Sequence, residues 1–180
     1  MNDDLLPFDG DLVRLRDATI EDAELLDAWN AEVERGGFND FGPRDPTPRD
    51  KLAQAPLRNE RNGMLIVERR TDGMPVGSVG WRRVIVYGPS PGSDTWQIGI
   101  ELTPSARGRG LGAEAQRLLA EWLFATTPLN RVEASTDIEN LPEQRSLAKA
   151  GYTREGVMRG AQWRGEAYHD LVYYSRLRGD

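Results

Sequence analysis

The chain has no cysteine, one histidine and, among 23 basic residues, only two lysines, Lys51 and Lys149. Without cysteine there is no disulfide framework, no thiolate metal site and no cysteine nucleophile. A single imidazole, His169, excludes metal sites built from several histidines, and no metal is expected. It also leaves one imidazole for any serine–histidine mechanism. No run approaches the ~18–20 apolar residues that span a bilayer. The opening Met1-Asn2-Asp3-Asp4 is acidic, where a secretory leader is basic and then apolar. These absences lead to the expectation of a cytoplasmic protein with no membrane partner. A net charge of −6 argues against binding to the phosphate backbone of nucleic acids. The near-exclusive use of arginine over lysine has the stamp of a high-GC genome, although arginine also suits bidentate phosphate contacts.

What remains is the composition of a soluble globular domain, 38% hydrophobic and 29% charged over 180 residues. That length fits a single domain, 1–180, with a full core. Residues 12–16 alternate apolar and polar side chains and predict a strand. Thr19 opens a helix with Asp22 three residues on, a variant of the capping box. Leu25, Leu26 and Trp29 supply its buried stripe. Residues 36–46 carry glycines and prolines and predict a loop, and Pro48 begins a short second helix. Strands are predicted over 64–69 and 76–87, joined at Asp72-Gly73, and over 95–103. A helix over 113–125 turns Ala115, Leu118, Leu119 and Trp122 inward. A strand over 131–136, a helix over 142–150 and two long strands, 152–163 and 167–177, complete the chain. This order predicts a mixed α/β (α+β) domain with one central sheet rather than a regularly alternating doubly wound fold.

The segment Arg107-Gly108-Arg109-Gly110-Leu111-Gly112 follows an apolar strand and opens a helix. Backbone N–H groups there have no intrahelical partners, and the positive end of the helix dipole lies at the same place. Glycines let an anion come close to the backbone, and Arg107 and Arg109 can add charge-assisted contacts. A phosphate or pyrophosphate is the natural ligand. A Walker-type loop is excluded because no Gly-Lys-Ser/Thr closes the segment. A dinucleotide fold needs an acid at the end of the next strand, whereas Glu133 lies within it.

With these residues in view the chain resembles the GNAT superfamily of N-acetyltransferases, in its RimJ/RimL-type branch. Arg107, Gly110 and Gly112 match the superfamily's Arg/Gln-x-x-Gly-x-Gly/Ala motif. Asn140, residues 145–149 and Gly151-Tyr152 match its downstream signature. The opening at 15–23 and the ending at 163–175 resemble that branch, so the likeness covers about 12–178. It implies a mostly antiparallel sheet of about seven strands, splayed open beside the glycine segment. It implies acetyl-CoA as co-substrate and an amine acceptor, with residues 107–112 on the pyrophosphate. Main-chain groups of Glu101 and Leu102 would hold the pantetheine, and Asn140 would touch the cofactor, cap a helix, or do both. Dimers are frequent among similar proteins, so a homodimer is compatible with the resemblance.

Two positions depart from the branch. A serine three residues after the asparagine is its candidate acid, and Glu143 stands there, where a solvated helix face is the expected setting. The candidate base is a glutamate in the penultimate strand, where this chain has Gln162, which takes no proton. Glu101 is the best remaining carboxylate, and a structural strand role competes with it. For His169 a structural hydrogen bond is the expected role, and Tyr173 and Tyr174 should point to opposite faces. Trp29, Phe38, Phe41, Trp81 and Tyr87 fall where an acceptor should sit, although aromatics mostly build cores. Within them the loop residues Phe38, Asp40 and Phe41 are the candidate acceptor lining. The readings open at this stage are acetyl transfer to a primary amine, transfer from another acyl-CoA such as succinyl-CoA, and a non-catalytic CoA-binding module.

Overall fold

Side-chain alternation along the strands decides which face of the sheet each residue serves, and here each face carries a hydrophobic cluster. The computed structural model describes residues 5–32, 37–38, 49–54, 56–85, 88 and 90–180, the side chains of 50, 51 and 91 excepted. The strands are β1 Phe8–Asp9, β2 Val13–Arg16, β3 Asn62–Arg69, β4 Pro75–Val84, β5 Thr95–Leu102, β6 Arg131–Asp137, β7 Thr153–Arg164 and β8 Ala167–Leu177. The helices are α1 Ala23–Ala31, α2 Arg49–Leu52, α3 Leu111–Thr126 and α4 Leu141–Lys149. All eight strands form one sheet in the order β1-β2-β3-β4-β5-β6-β8-β7. The strand beyond the expected seven is the two-residue β1, too short to carry a period. β4 ends at Val84 rather than continuing to 87, because its last partner on β5 is Thr95. Tyr87 and Pro48 lie outside the described residues.

One face packs on α3. Val13, Leu15, Leu65, Val67, Val79, Trp81, Trp96, Ile98, Val132, Ala134, Val172 and Tyr174 meet the helix there. Ala115, Leu118, Leu119 and Trp122 are buried, as the helical period predicts. Trp81 and Trp122 meet edge to face with ring centroids 5.1 Å apart, an arrangement that favours aromatic pairs. Trp81 therefore belongs to this core and does not line an acceptor site. The opposite face carries a smaller cluster of Ala18, Ala23, Leu26, Leu52 and Ile66, with Trp29 and Met64 packed against it. Thr19 and Asp22 form the capping box ahead of α1, and Arg16 grips the Asp22 carboxylate from β2 at 2.7 Å. Among the described residues no helix is long and apolar enough to cross a membrane.

The single parallel pairing shapes the molecule. β5 and β6 are in register only at Trp96↔Val132 and Gln97↔Glu133. Beyond these pairs β5 stays with β4 as far as Gly77↔Leu102, while β6 stays with β8 as far as Asp137↔Leu171. The two strands diverge and the sheet opens into a V at their carboxyl ends.

Gly77 holds one arm of that V. A Cβ built there would lie 2.1 Å from the Glu101 carbonyl oxygen and 2.8 Å from the Leu102 Cα. Only glycine allows β4 to approach β5 so closely at its end. Gly77→Ala is expected to destabilise the protein by about 1–3 kcal/mol through overpacking, read as a lowered urea midpoint with an unchanged slope.

Candidate functional site

Both helices that follow the diverging strands begin at the mouth of the V. After β5 the chain makes one turn of 3-10 helix, Pro104–Ala106, then extends at Arg107 and enters α3 through Gly110. Gly108 and Gly110 have φ of 73° and 83°, the left-handed region that glycine enters at little cost. No side chain caps α3, and residues 107–110 are exposed. Its first-turn N–H groups therefore face outward at the positive end of a 16-residue helix, which suits an anion. The glycine segment thus has the local geometry its sequence predicts. Two of its side chains serve the fold as well. Arg107 Nε donates to the Leu102 carbonyl at 3.0 Å, tying the loop to the end of β5. The Leu111 side chain is 5% exposed and belongs to the core, leaving only its main chain for a ligand.

The cradle is braced from behind. Glu114, in the first turn of α3, accepts from the N–H groups of Asp11, Leu12 and Val13 at 3.0, 2.6 and 2.7 Å. The turn between β1 and β2 is thereby fixed beside α3, where a Cβ at Gly110 would meet Leu12 at 3.5 Å. A Cβ at Gly112 would meet Ser146 of α4 at 3.3 Å and Leu102 at 3.4 Å, so the close approach of α3, α4 and β5 leaves room only for a small residue there.

Across the mouth, Asn140 caps α4. Its Oδ1 accepts from Glu143 N at 3.4 Å, and its Nδ2 donates to Thr136 Oγ1 at 2.9 Å. Of the two roles open to Asn140, the cap is present. Glu143 does not lie on the solvated face expected of it. It turns toward α3, where the Gln116 amide donates to its carboxylate. Gln116, only 1% exposed, in turn accepts from Ser146 Oγ at 3.0 Å. The reason is helix packing: α3 and α4 lie so close that the first turn of α4 faces the neighbouring helix. Burial pushes the Glu143 carboxyl up to about 7, against the opposing pull of the Gln116 hydrogen bond. The sequence carries a trace of this network, since Gln116 is a polar residue beside the apolar stripe of α3.

On the face opposite α3, the ends of β6, β7 and β8 meet in a charged cluster. Arg164 donates to Asp137 Oδ2 at 2.6 Å with both side chains almost wholly buried. His169 Nδ1 lies 3.4 Å from the same oxygen, and its Nε2 lies 3.1 Å from the Arg164 carbonyl. The structural role expected of His169 is what the structure shows, with Asp137 as its carboxylate rather than the adjacent Asp170. Gln162 accepts from Arg164 NH1 at 2.9 Å and is part of the same scaffold. Phe38 lies with its ring 5.4 Å from the Arg164 guanidinium. Asp40 and Phe41, the other residues expected to line an acceptor site, lie outside the described residues. Tyr173 and Tyr174 point to opposite faces as expected. The Tyr173 hydroxyl donates to the buried Glu133, while Tyr174 is 5% exposed in the core.

β5 presents Ile100 and Leu102 toward α3 and Glu101 to the other face, half-buried. Glu101 stands opposite Ser78 on β4, at the open arm of the V. Glu101 and Glu143 therefore sit on different sides of the opening.

An open sheet with an uncapped, glycine-entered helix at its mouth is the architecture of an acetyltransferase domain. The acetyltransferase (GNAT) domain family matches residues 13–153, and the chain belongs to that family. It is 31% identical to the uncharacterized N-acetyltransferase YnaD of Bacillus subtilis (strain 168) over 93 residues, which are 52% of this chain and 55% of that protein. The match thus spans about half the length of that relative. Among solved structures, the ribosomal-protein-S5-alanine acetyltransferase of Vibrio fischeri superposes with a TM-score of 0.73 at 19% identity, over 96% of this chain and 97% of the other. RimJ of Mycobacterium smegmatis, in complex with CoA-disulfide, superposes with a TM-score of 0.70 at 21% identity, over 92% and 81%. These two are likenesses of fold. The chain carries an acetyltransferase (GNAT) domain, and the solved structures that share its fold include RimJ and RimL proteins.

The Glu143 carboxyl has a measurable consequence for stability. Its unfolded pKa is near the ordinary 4.5 and its folded pKa about 7. The folded state thus binds the extra proton between these values, and stability falls as pH rises through that window. Glu143→Gln removes the effect. The variant should match the wild type at pH 4 and exceed it at pH 8 by on the order of 1–3 kcal/mol, allowing for the part of Glu143 still in water. Thermal or urea unfolding across pH 4–8 measures the difference.

Proposed function

We propose that the protein transfers an acetyl group from acetyl-CoA to a primary amine. The observation that carries this reading is the uncapped start of α3 at the mouth of the V. Exposed N–H groups, two arginines and left-handed glycines there match the charge and close approach of a pyrophosphate. The donor set fits: residues 107–112 hold the pyrophosphate, and the end of β5 at Glu101 and Leu102 offers main-chain groups and an apolar wall to the arm. Asn140 borders the opposite side of the opening. Acetyl-CoA supplies an electrophilic thioester carbonyl and a sulfur leaving group; a C–N bond forms and the C–S bond breaks.

The protein's own groups move the protons. Glu101, at the open arm of β5, takes the proton that an ammonium must lose before its nitrogen can attack. Glu143, whose carboxyl burial pushes up to about 7 so that a protonated fraction persists at neutral pH, gives a proton to the departing sulfur. Such proton transfers typically contribute ~10²–10⁴-fold, and alignment of the reactants in the V supplies much of the rest. Gln162, at the position where the branch carries a glutamate, has no proton-accepting role and anchors Arg164 instead.

Arg109→Ala and Gly110→Trp should each lower CoA affinity at least tenfold by calorimetry. Retained affinity in both would remove residues 107–112 from the cofactor site. In a thiol-release assay with acetyl-CoA and a panel of amines, Glu143→Gln should keep CoA affinity while kcat falls by about 10–100-fold. The alkaline limb of the kcat/KM profile, where a group with pKa about 7 in the free protein loses its proton, should disappear with it. Unchanged turnover and an unchanged limb would leave Glu143 a purely structural residue. Glu101→Gln turning over normally would dismiss Glu101 as the base.

A further inference from the structure

Every buried residue of α3 is hydrophobic except Gln116. At 1% exposure its amide is cut off from water, and a buried amide is costly unless protein groups satisfy it. A methionine would fill the seam between α3 and α4 without that requirement. The amide is satisfied at both ends by residues of α4. Ser146 Oγ donates to its Oε1 at 3.0 Å, and its Nε2 donates to Glu143 Oε1. Gln116 stands one helical turn after Gly112, and Ser146 Oγ lies 3.3 Å from a Cβ built on that glycine. Ser146, Gln116 and Glu143 therefore link the inner end of the glycine segment to the carboxyl.

Hydrogen-bond polarity fixes the order of this series. An ionised Glu143 only accepts, so the NH2 end of the amide must face it, and the amide oxygen is left for the Ser146 hydroxyl. Once Glu143 is protonated, a second arrangement opens. The amide can turn over and accept the acid proton on its own oxygen, holding that proton between the two side chains. The Ser146 hydroxyl opposes this, because it engages the amide oxygen in the observed orientation. With Oε1 taken by the amide NH2, the proton of Glu143 belongs on Oε2, which has no protein partner among the described residues. The surroundings supply no competing charge. The charged residues of α3 beside Gln116, Glu114 and Arg117, pair with each other. β6 contributes the neutral Thr136, bound to Asn140. Ahead of β7, burial pushes the Tyr152 phenol up, so it stays neutral. Arg176 of β8 is turned to Glu121.

We propose that Gln116 and Ser146 are positioning residues for Glu143, acting in series to keep its proton on Oε2, where a departing sulfur can take it. This rests on the acetyltransferase reading above and deepens its acid step. In that step the O–H bond of Glu143 breaks and an S–H bond forms on coenzyme A. The carboxylate that remains keeps the Gln116 N–H as a donor until solvent returns the proton. One amide thus serves both stages: it leaves the acid proton on the free oxygen, and it eases the charge left behind.

The test is a double-mutant cycle of Gln116→Met and Ser146→Ala in the full chain. Methionine keeps the volume and the unbranched shape of glutamine. The Glu143 carboxyl is titrated by 13C NMR in glutamate-labelled protein, its signal assigned by its loss in Glu143→Gln. The pH profile of kcat/KM is measured by thiol release with acetyl-CoA and a panel of amines. Losing the Gln116 hydrogen bond disfavours the ionised form, so in Gln116→Met the carboxyl should titrate at a pH higher by roughly 0.5–1. The alkaline limb should move up with it while kcat falls several-fold. Ser146→Ala should act in the same direction and less strongly. The double variant should match Gln116→Met, since Ser146 acts through the amide. An unmoved titration in Gln116→Met, or additive effects in the double variant, overturns the series and leaves Glu143 as the acid. A lowered thermal midpoint with titration and limb both in place makes the pair structural, which also overturns it. A titration that moves while Glu143→Gln turns over normally overturns the acid reading and, with it, the catalytic role of the pair. The titration needs no substrate, so these failures are told apart.

Discussion

The two-residue register between β5 and β6 is the constraint on which the rest of the molecule depends. Every other neighbouring pair in the sheet is antiparallel, and the other long strands stay paired over most of their length. A parallel pair must be joined by a crossover, supplied here by α3, which packs across the sheet and returns the chain to β6. Because β5 is held by β4 and β6 by β8, the two halves of the sheet keep their own twist and part after Gln97 and Glu133. The opening exposes the carboxyl ends of both strands, and the helices that follow them begin at its rim. The proposed cofactor cradle, candidate acid and candidate base are consequences of where two strands stop sharing hydrogen bonds.

The charges around the opening are sorted into two kinds. Asp137, Arg164 and His169 bond to one another beside the turn of the β7–β8 hairpin, while Glu133 takes hydrogen bonds from Arg131 and Tyr173. A pair buried as deeply as Asp137–Arg164 offers specificity of arrangement more than stability. Glu143 is of the other kind, since a neutral amide faces it rather than a cation, and its ionisation is left costly. A carboxyl whose ionisation is delayed to near neutrality suits the proton donor proposed above, and its ionised form is a burden to the fold.

Features that depend on near neighbours in the chain were legible in the sequence. The stripe Ala115, Leu118, Leu119, Trp122 identified the buried face of α3, and Arg107 to Gly112 identified its uncapped start, because glycine conformation and helix termini are local matters. Thr19 and Asp22 gave away the capping box for the same reason. The misreadings were all relations between distant segments. Glu143 read as a solvated helix residue because nothing local reveals that α4 lies against Gln116. Trp81 was expected among the core aromatics, but its partner Trp122, 41 positions further on, was not legible. β4 read as longer than it is because its end is decided by where β5 begins. Asp137, Arg164 and His169 came together only once three strand ends did.

The brace between Glu114 and residues 11–13 also shapes the electric field at the cradle. A glutamate in the first turn favours the helix through its dipole, but a bare carboxylate there would repel an incoming phosphate. Three main-chain N–H groups and the Arg117 guanidinium, 3.6 Å away, draw that charge toward the β1–β2 turn. The helix thus keeps the benefit of an acidic first turn while the Glu114 carboxylate is engaged by the N–H groups of residues 11–13. The negative charge has been moved to the back of the terminus, and the front is left for anions.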